Sequence, residues 1–113
     1  MPMIQLTTSA AVTPENAERL KVKFGQAISL LPGKSESKLM ISMRGETPMF
    51  FQGEKRGAAF VEVSCFGQGK AGAYESLTAA LCEILKEELS VDPGNIFIKY
   101  SETPYWGFNG RNL

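Results

Sequence analysis

Twice along this chain a short run of β-forming residues gives way to a helix-length amphipathic stretch and then to a second short apolar run. Met3 to Thr8 reads as a strand. Thr13-Pro14-Glu15 then supplies an N-cap, a proline at the first helical position and an acid in the first turn. Ala17, Leu20, Phe24, Ala27, Ile28 and Leu31 follow at helical spacing until Pro32-Gly33 ends the run. Lys38 to Arg44 is the next strand. After a loop from Gly45 to Gly57, whose apolar middle Pro48-Met49-Phe50-Phe51 is suited to a short strand or an apolar wall, the order recurs. Ala58 to Cys65 is a strand and Gly67 to Gly72 a glycine-rich turn. A helix over Ala73 to Leu89 faces Leu77, Leu81, Ile84, Leu85 and one of Leu89 and Val91 inward. Asp92 to Asn95 is a turn, Ile96 to Tyr100 the last strand, and Ser101 to Leu113 an aromatic, glycine-rich tail.

Two β-α-β units with right-handed crossovers predict an α+β fold. It is a two-layer sandwich, a four-stranded mixed sheet with both helices on one face. One face of that sheet has no cover within the chain, which predicts self-association. At 113 residues the chain suits a single domain, 1–113, with no room for a second core.

Composition removes several classes of function. Twelve basic and twelve acidic residues cancel, so neither nucleic acid nor an anionic membrane surface is an expected partner. No apolar run approaches the ~20 residues that cross a bilayer, and no basic segment precedes an apolar one at the start. Cys65 and Cys82 lack metal-ligand or redox spacing and read as reduced, buried thiols of a cytoplasmic protein. Histidine is absent, and with it the commonest general base and transition-metal ligand. No metal or cofactor is expected.

Gly67-Gln68-Gly69-Lys70-Ala71-Gly72 spells GxGxxG between a strand and a helix. The following strand offers no acid at the offset a ribose requires, and too little chain remains for further parallel strands. The segment is therefore read as a tight turn, whose backbone N–H groups could hold an anion or a carbonyl oxygen. Lys34, just past a helix end, fits a lysine that solvates the helix terminus, and Tyr105, Trp106 and Phe108 fit ordinary packing.

Proline at position 2 is unusual at the start of a strand, because it has no N–H to give a ladder. Either the first strand position tolerates it, or removal of Met1 turns Pro2 into a free secondary amine at the mouth of a sheet.

Taken together these residues resemble the macrophage migration inhibitory factor family of the tautomerase superfamily over essentially the whole chain. The resemblance is carried by Pro2-Met3, Gly33-Lys34, Pro48-Met49 with Gly53, Phe66-Gly67, Leu81-Cys82 and Gly107-Phe108-Asn109. It implies a homotrimer with an active site at each subunit interface and a keto–enol tautomerase acting on phenylpyruvate-type, or dopachrome-type, substrates. Pro2 would be the catalytic base and Lys34 would hold the substrate carboxylate. The backbone N–H of Phe66 would bind substrate, and Met3, Trp106 and Phe108 would wall an aromatic-sized cavity. A neighbouring subunit would add Phe97 and Lys99, where the best-known members carry tyrosine and asparagine. The family's CxxC is replaced by Gly57-Ala58-Ala59-Phe60, which argues against an oxidoreductase role.

The alternative function is a cytokine-like signalling or binding trimer that engages a protein receptor and keeps only a vestigial pocket. That reading includes release from the cell without a signal peptide. A third, hydrolytic dehalogenation or decarboxylation, would need an arginine pair, for which only Arg44, Arg56 and Arg111 are candidates.

Overall fold

The computed structural model describes residues 1–113. In chain order the elements are β1 (Pro2–Thr8), α1 (Pro14–Ala27), β2 (Met40–Arg44), β3 (Phe50–Phe51), β4 (Glu54–Lys55) and β5 (Ala59–Phe66). They are followed by α2 (Ala71–Leu89), β6 (Ile96–Thr103), β7 (Gly107–Phe108) and β8 (Arg111–Asn112). The main sheet has the order β2-β1-β5-β6. β1 runs parallel to β2, β5 parallel to β6, and the two pairs join antiparallel through β1 and β5. This is the duplicated β-α-β arrangement expected from the repeat.

Thr13 caps α1 as its sequence predicts: its Oγ1 accepts from the Asn16 N–H at 3.1 Å, while the Asn16 side chain accepts from the Thr13 N–H at 3.3 Å. The α-helix stops at Ala27, short of the expected end, and Ile28–Leu30 tightens into a 3-10 turn. Leu31 is already extended, as the residue before a proline prefers. The tighter turn still delivers both Ile28 and Leu31 to the core, three residues apart. α2 begins at Ala71, inside the predicted glycine turn, with no side-chain cap at Lys70. It ends at Ser90, whose left-handed backbone swings Val91 into the core and leaves Leu89 half-buried.

Ile4, Leu6, Val61, Val63 and Cys65 on one sheet face pack against Leu20, Phe24, Ile28, Leu77, Leu81 and Leu85 of the helices. Truncating a fully buried side chain such as Phe24 to alanine costs about 3–5 kcal/mol, from lost transfer energy and the cavity left behind. Cys65 is buried as expected, but Cys82 is only half-buried.

No helix covers the other sheet face. One of its rows runs Ser42, Gln5, Glu62, Lys99 across the four strands. Glu62 accepts from the Ser101 hydroxyl at 3.1 Å and pairs with Lys99 at 3.7 Å.

Further differences from the sequence reading lie at the start of β2, the end of β6 and the two hairpins. Lys38 belongs to a 3-10 turn, Glu36–Lys38, and β2 starts only at Met40. β6 continues to Thr103 because Ser101 and Thr103 go on pairing with Ser64 and Phe66. The tail is a hairpin, β7-β8, turned at Asn109 and Gly110, both of positive φ. Gln52-Gly53 turns β3 into β4 in the same way.

Candidate active site

The strand directions bring four segments to one end of the sheet. β1 and β2 begin there and β5 and β6 finish there: Pro2 stands opposite Cys65, and Cys65 opposite Glu102. The connection carrying Lys34 arrives at this end and the glycine-rich turn leaves from it.

Pro2 is fully buried, with Met1 half-buried outside it. A chain of backbone contacts runs inward from there. The Phe66 N–H donates to the Met1 carbonyl at 3.1 Å, and the Lys34 ammonium donates to the Phe66 carbonyl at 3.0 Å. Gly67 N–H donates to the Thr103 carbonyl at 2.9 Å, so the end of β6 fixes the start of the turn. Glu102 fixes the rest: one carboxylate oxygen accepts from the Gly69 N–H and from the Tyr74 hydroxyl, each at 2.6 Å. Tyr74 also stacks on Tyr100 with ring centroids 4.4 Å apart.

The Gly69 N–H, which the sequence left free for an outside anion, is therefore taken by the chain's own acid. The bonds from Tyr74 and Gly69 hold the Glu102 carboxyl below its ordinary range. Burial, with the Glu102 bond behind it, pushes the Tyr74 phenol up.

Beside Pro2 lies a cavity of about 660 Å³. Met3, Met40, Trp106 and Phe108 form its apolar wall, and Ser37, Lys38 and Leu39 its rim. Lys34 does not line this cavity. It lies behind, with Cys65, Phe66 and Tyr74, on a pocket of about 50 Å³. At the chain start the Met1 amine is held below its ordinary value, first by burial and then by the Lys34 charge, with a smaller contribution from Lys38. Burial raises the Cys65 thiol, against the pull of Lys34.

Of the predicted site residues, Pro2, Met3, Trp106 and Phe108 meet at one cavity, and Lys34 and Phe66 stand directly behind Pro2. Phe97 and Lys99 do not join them within one chain. Phe97 lies opposite Phe60, nearer the other end of β5, and its ring meets Phe51 edge-on at 5.1 Å. Lys99 faces Glu62. Lys38 was missed as a site residue because it was counted into a strand. Its signal was spacing: it precedes by two the residue, Met40, that pairs with Met3. Glu102 and Tyr74 carry no local sequence signal for the contact they make across 28 positions.

A buried proline at position 2 on an aromatic-walled cavity, with a lysine behind it and a duplicated β-α-β sheet around it, defines a class of small α+β proteins. The chain belongs to the macrophage migration inhibitory factor family of the tautomerase superfamily, whose profile matches residues 1–113. Among solved structures, that of Leishmania major MIF2 is 26% identical, covering 100% of this chain and 97% of that one at a TM-score of 0.94. The macrophage migration inhibitory factor-like protein of Entamoeba histolytica is 23% identical, covering 99% and 98% at a TM-score of 0.88. Pt0534, solved after inactivation by 2-oxo-3-pentynoate, shares the fold at a TM-score of 0.84, with 12% identity and 96% and 93% covered. A search of curated proteins found no match.

Proposed function

We propose that the chain is a keto–enol tautomerase for aromatic 2-oxo acids of the phenylpyruvate type, with Pro2 as its base once Met1 is removed. The observation that carries this reading is the burial of Pro2 on the aromatic-walled cavity, next to an amine that feels the Lys34 charge. An α-amine ordinarily titrates near ~7.7–8.0, and burial beside a cation disfavours its charged form. The Met1 amine already feels both effects, and Pro2 lies deeper.

A neutral Pro2 nitrogen takes a proton from the carbon next to the substrate carbonyl. The electron pair of that C–H bond becomes the carbon–carbon double bond, and the oxygen receives the proton back from the prolinium, giving the enol. Removal of Met1 also frees the Phe66 N–H, which the Met1 carbonyl otherwise occupies. That N–H is then available to the substrate. Lys34 holds the carboxylate by exchanging its bond to the Phe66 carbonyl for one to the ligand.

Like the family it belongs to, the chain is read as a homotrimer, in which Phe97 and Lys99 reach the cavity of a neighbouring subunit. The uncovered sheet face supports that assembly. Pt0534, which 2-oxo-3-pentynoate inactivates, supports 2-oxo acid chemistry on this fold. The alternative, a signalling trimer that engages a receptor and retains a vestigial pocket, is favoured by one feature: the Lys34 ammonium is already bonded to the Phe66 carbonyl. Ultraviolet monitoring of phenylpyruvate enol–keto conversion by the Met1-cleaved protein decides between them. The enzyme accelerates conversion above the buffer rate, and the binding protein does not.

A further inference from the structure

Lys38 is the one charged side chain lining the cavity beside Pro2. Nothing in the chain neutralises it. The ion pairs of the fold engage Arg19, Lys21, Lys23, Arg56 and Lys99, and Lys38 enters none. Glu36, two residues away, is turned from the cavity, so that a Cβ added at Gly25 of α1 would meet its carboxylate. Its charge acts on Lys21 instead. Glu102, the acid of this sheet end, is engaged by Gly69 and Tyr74.

Within one chain the cavity thus stands between two cations, Lys34 behind Pro2 and Lys38 on its lining, with an apolar wall and no anion; the Lys99 that a neighbouring subunit would add is already paired with Glu62. Both reach the start of the chain, since both lower the proton affinity of the Met1 amine. A ligand with a single carboxylate can satisfy one of them. The other would then face the apolar end of that ligand.

Resting on the tautomerase reading, we propose that Lys38 is a specificity-determining residue, favouring 2-oxo acids that carry a second carboxylate at the end remote from the keto group. The keto acid end lies at Pro2 and Lys34. The body crosses the wall formed by Met3, Trp106 and Phe108, and the distal carboxylate meets the Lys38 ammonium at the rim.

The test compares phenylpyruvate with 4-carboxyphenylpyruvate, which differs only by the distal carboxylate, on the same preparations of Met1-cleaved protein. Two ratios are measured, one of kcat/KM and one of Kd, the latter from the fluorescence of Trp106, the single tryptophan. An ion pair to an exposed lysine gives a preference of about fivefold for the dicarboxylate at low salt. Each ratio cancels the fraction of folded protein, so a poorly folding variant remains informative. The preference should fall to about one in Lys38→Met and persist in Lys38→Arg and Lys99→Met.

Equal values for the two acids in the unaltered protein overturn the proposal. So does a preference that survives Lys38→Met, or one that is lost only in Lys99→Met. Absence of phenylpyruvate turnover with the Kd preference intact sinks the tautomerase reading instead and leaves the Lys38 assignment standing.

Discussion

The two ends of the sheet are closed by different means. At the end remote from Pro2, side-chain bonds complete the backbone, and those of the helix cap and the Asp92 turn join near neighbours in sequence. Thr13 and Asn16 cap α1 reciprocally, and Asp92 accepts from the Gly94 N–H at 3.0 Å. The buried Thr8 hydroxyl donates to the Ala58 carbonyl at 2.8 Å. At the Pro2 end α2 has no cap of its own, and its approach is held by Glu102 from a distant strand. At the far end the helix cap and the Asp92 turn are finished by their own neighbours in sequence, while Thr8 ties β1 to the start of β5. At the other, the Phe66 amide is closed by the Met1 carbonyl and the Lys34 ammonium by the Phe66 carbonyl, beside an apolar wall.

The sharpest way to break this contrast is to keep Met1. Its attachment makes the Pro2 nitrogen a tertiary amide and places a carbonyl on the Phe66 N–H. Phenylpyruvate turnover should be at least about a hundredfold lower than in the Met1-cleaved protein, the low end of what a positioned base supplies. In the cleaved protein kcat/KM should rise with pH through an inflection below the ordinary ~8 of an α-amine, because a depressed pKa leaves the base neutral at lower pH. Paired rate–pH profiles from pH 5 to 9, on forms verified by mass, check both statements. Equal activity in the two forms removes Pro2 from the mechanism.

Lys34→Ala comes next. A charge-assisted bond to a carboxylate is worth about 1.5–3 kcal/mol, so kcat/KM for phenylpyruvate should fall roughly ten- to a hundredfold. Steady-state kinetics beside a thermal melt show whether the loss is of activity rather than fold, and an unchanged kcat/KM would return Lys34 to the role of a helix-end lysine.

Glu102→Gln is milder. It keeps one acceptor oxygen but loses the charge, loosening the turn that carries Phe66, and kcat/KM should fall by about three- to tenfold. The carboxyl is held below its ordinary value, so the contact contributes stability above the unfolded value and loses it as pH falls through the lowered one. The difference between Glu102→Gln and the unaltered protein in thermal melts should therefore shrink on acidification, and a constant gap down to pH 3 contradicts the assignment.

At the other end Thr13→Ala should cost about 1 kcal/mol of stability, some 4 °C of melting temperature, and leave kcat/KM untouched. A loss of activity there would show that the two ends are not independent.

The same contrast explains what the sequence disclosed. The helix cap and the turn of the far end were readable because their bonds join near neighbours: Thr13-Pro14-Glu15 announces α1, and Asp92-Pro93-Gly94 announces its turn. At the Pro2 end the residues that touch the cavity through their own strand or tail, Pro2, Met3, Trp106 and Phe108, were legible from the family resemblance. Glu102 and Tyr74 were not, because nothing local marks an acid and a phenol that meet across 28 positions. Lys38 was hidden by a strand boundary two residues too early, and the β7-β8 hairpin by reading Asn109-Gly110 as undifferentiated tail. Phe97 and Lys99 have no local partner at Pro2 to be read from.

The bond between Gly69 and Glu102 spans 33 positions, and this sets an order in time. Until β6 has docked beside β5, neither Thr103 nor Glu102 holds the turn ahead of α2, whereas the α1 cap needs only residues of its own helix. Contacts of long sequence separation form late, because loop-closure entropy opposes them. On a ribosome the chain could carry a capped α1 while its Pro2 end stayed open until the last strand emerged. A nascent chain arrested before Glu102 would lack both ties of that turn, the Glu102 carboxylate on Gly69 and the Thr103 carbonyl on Gly67.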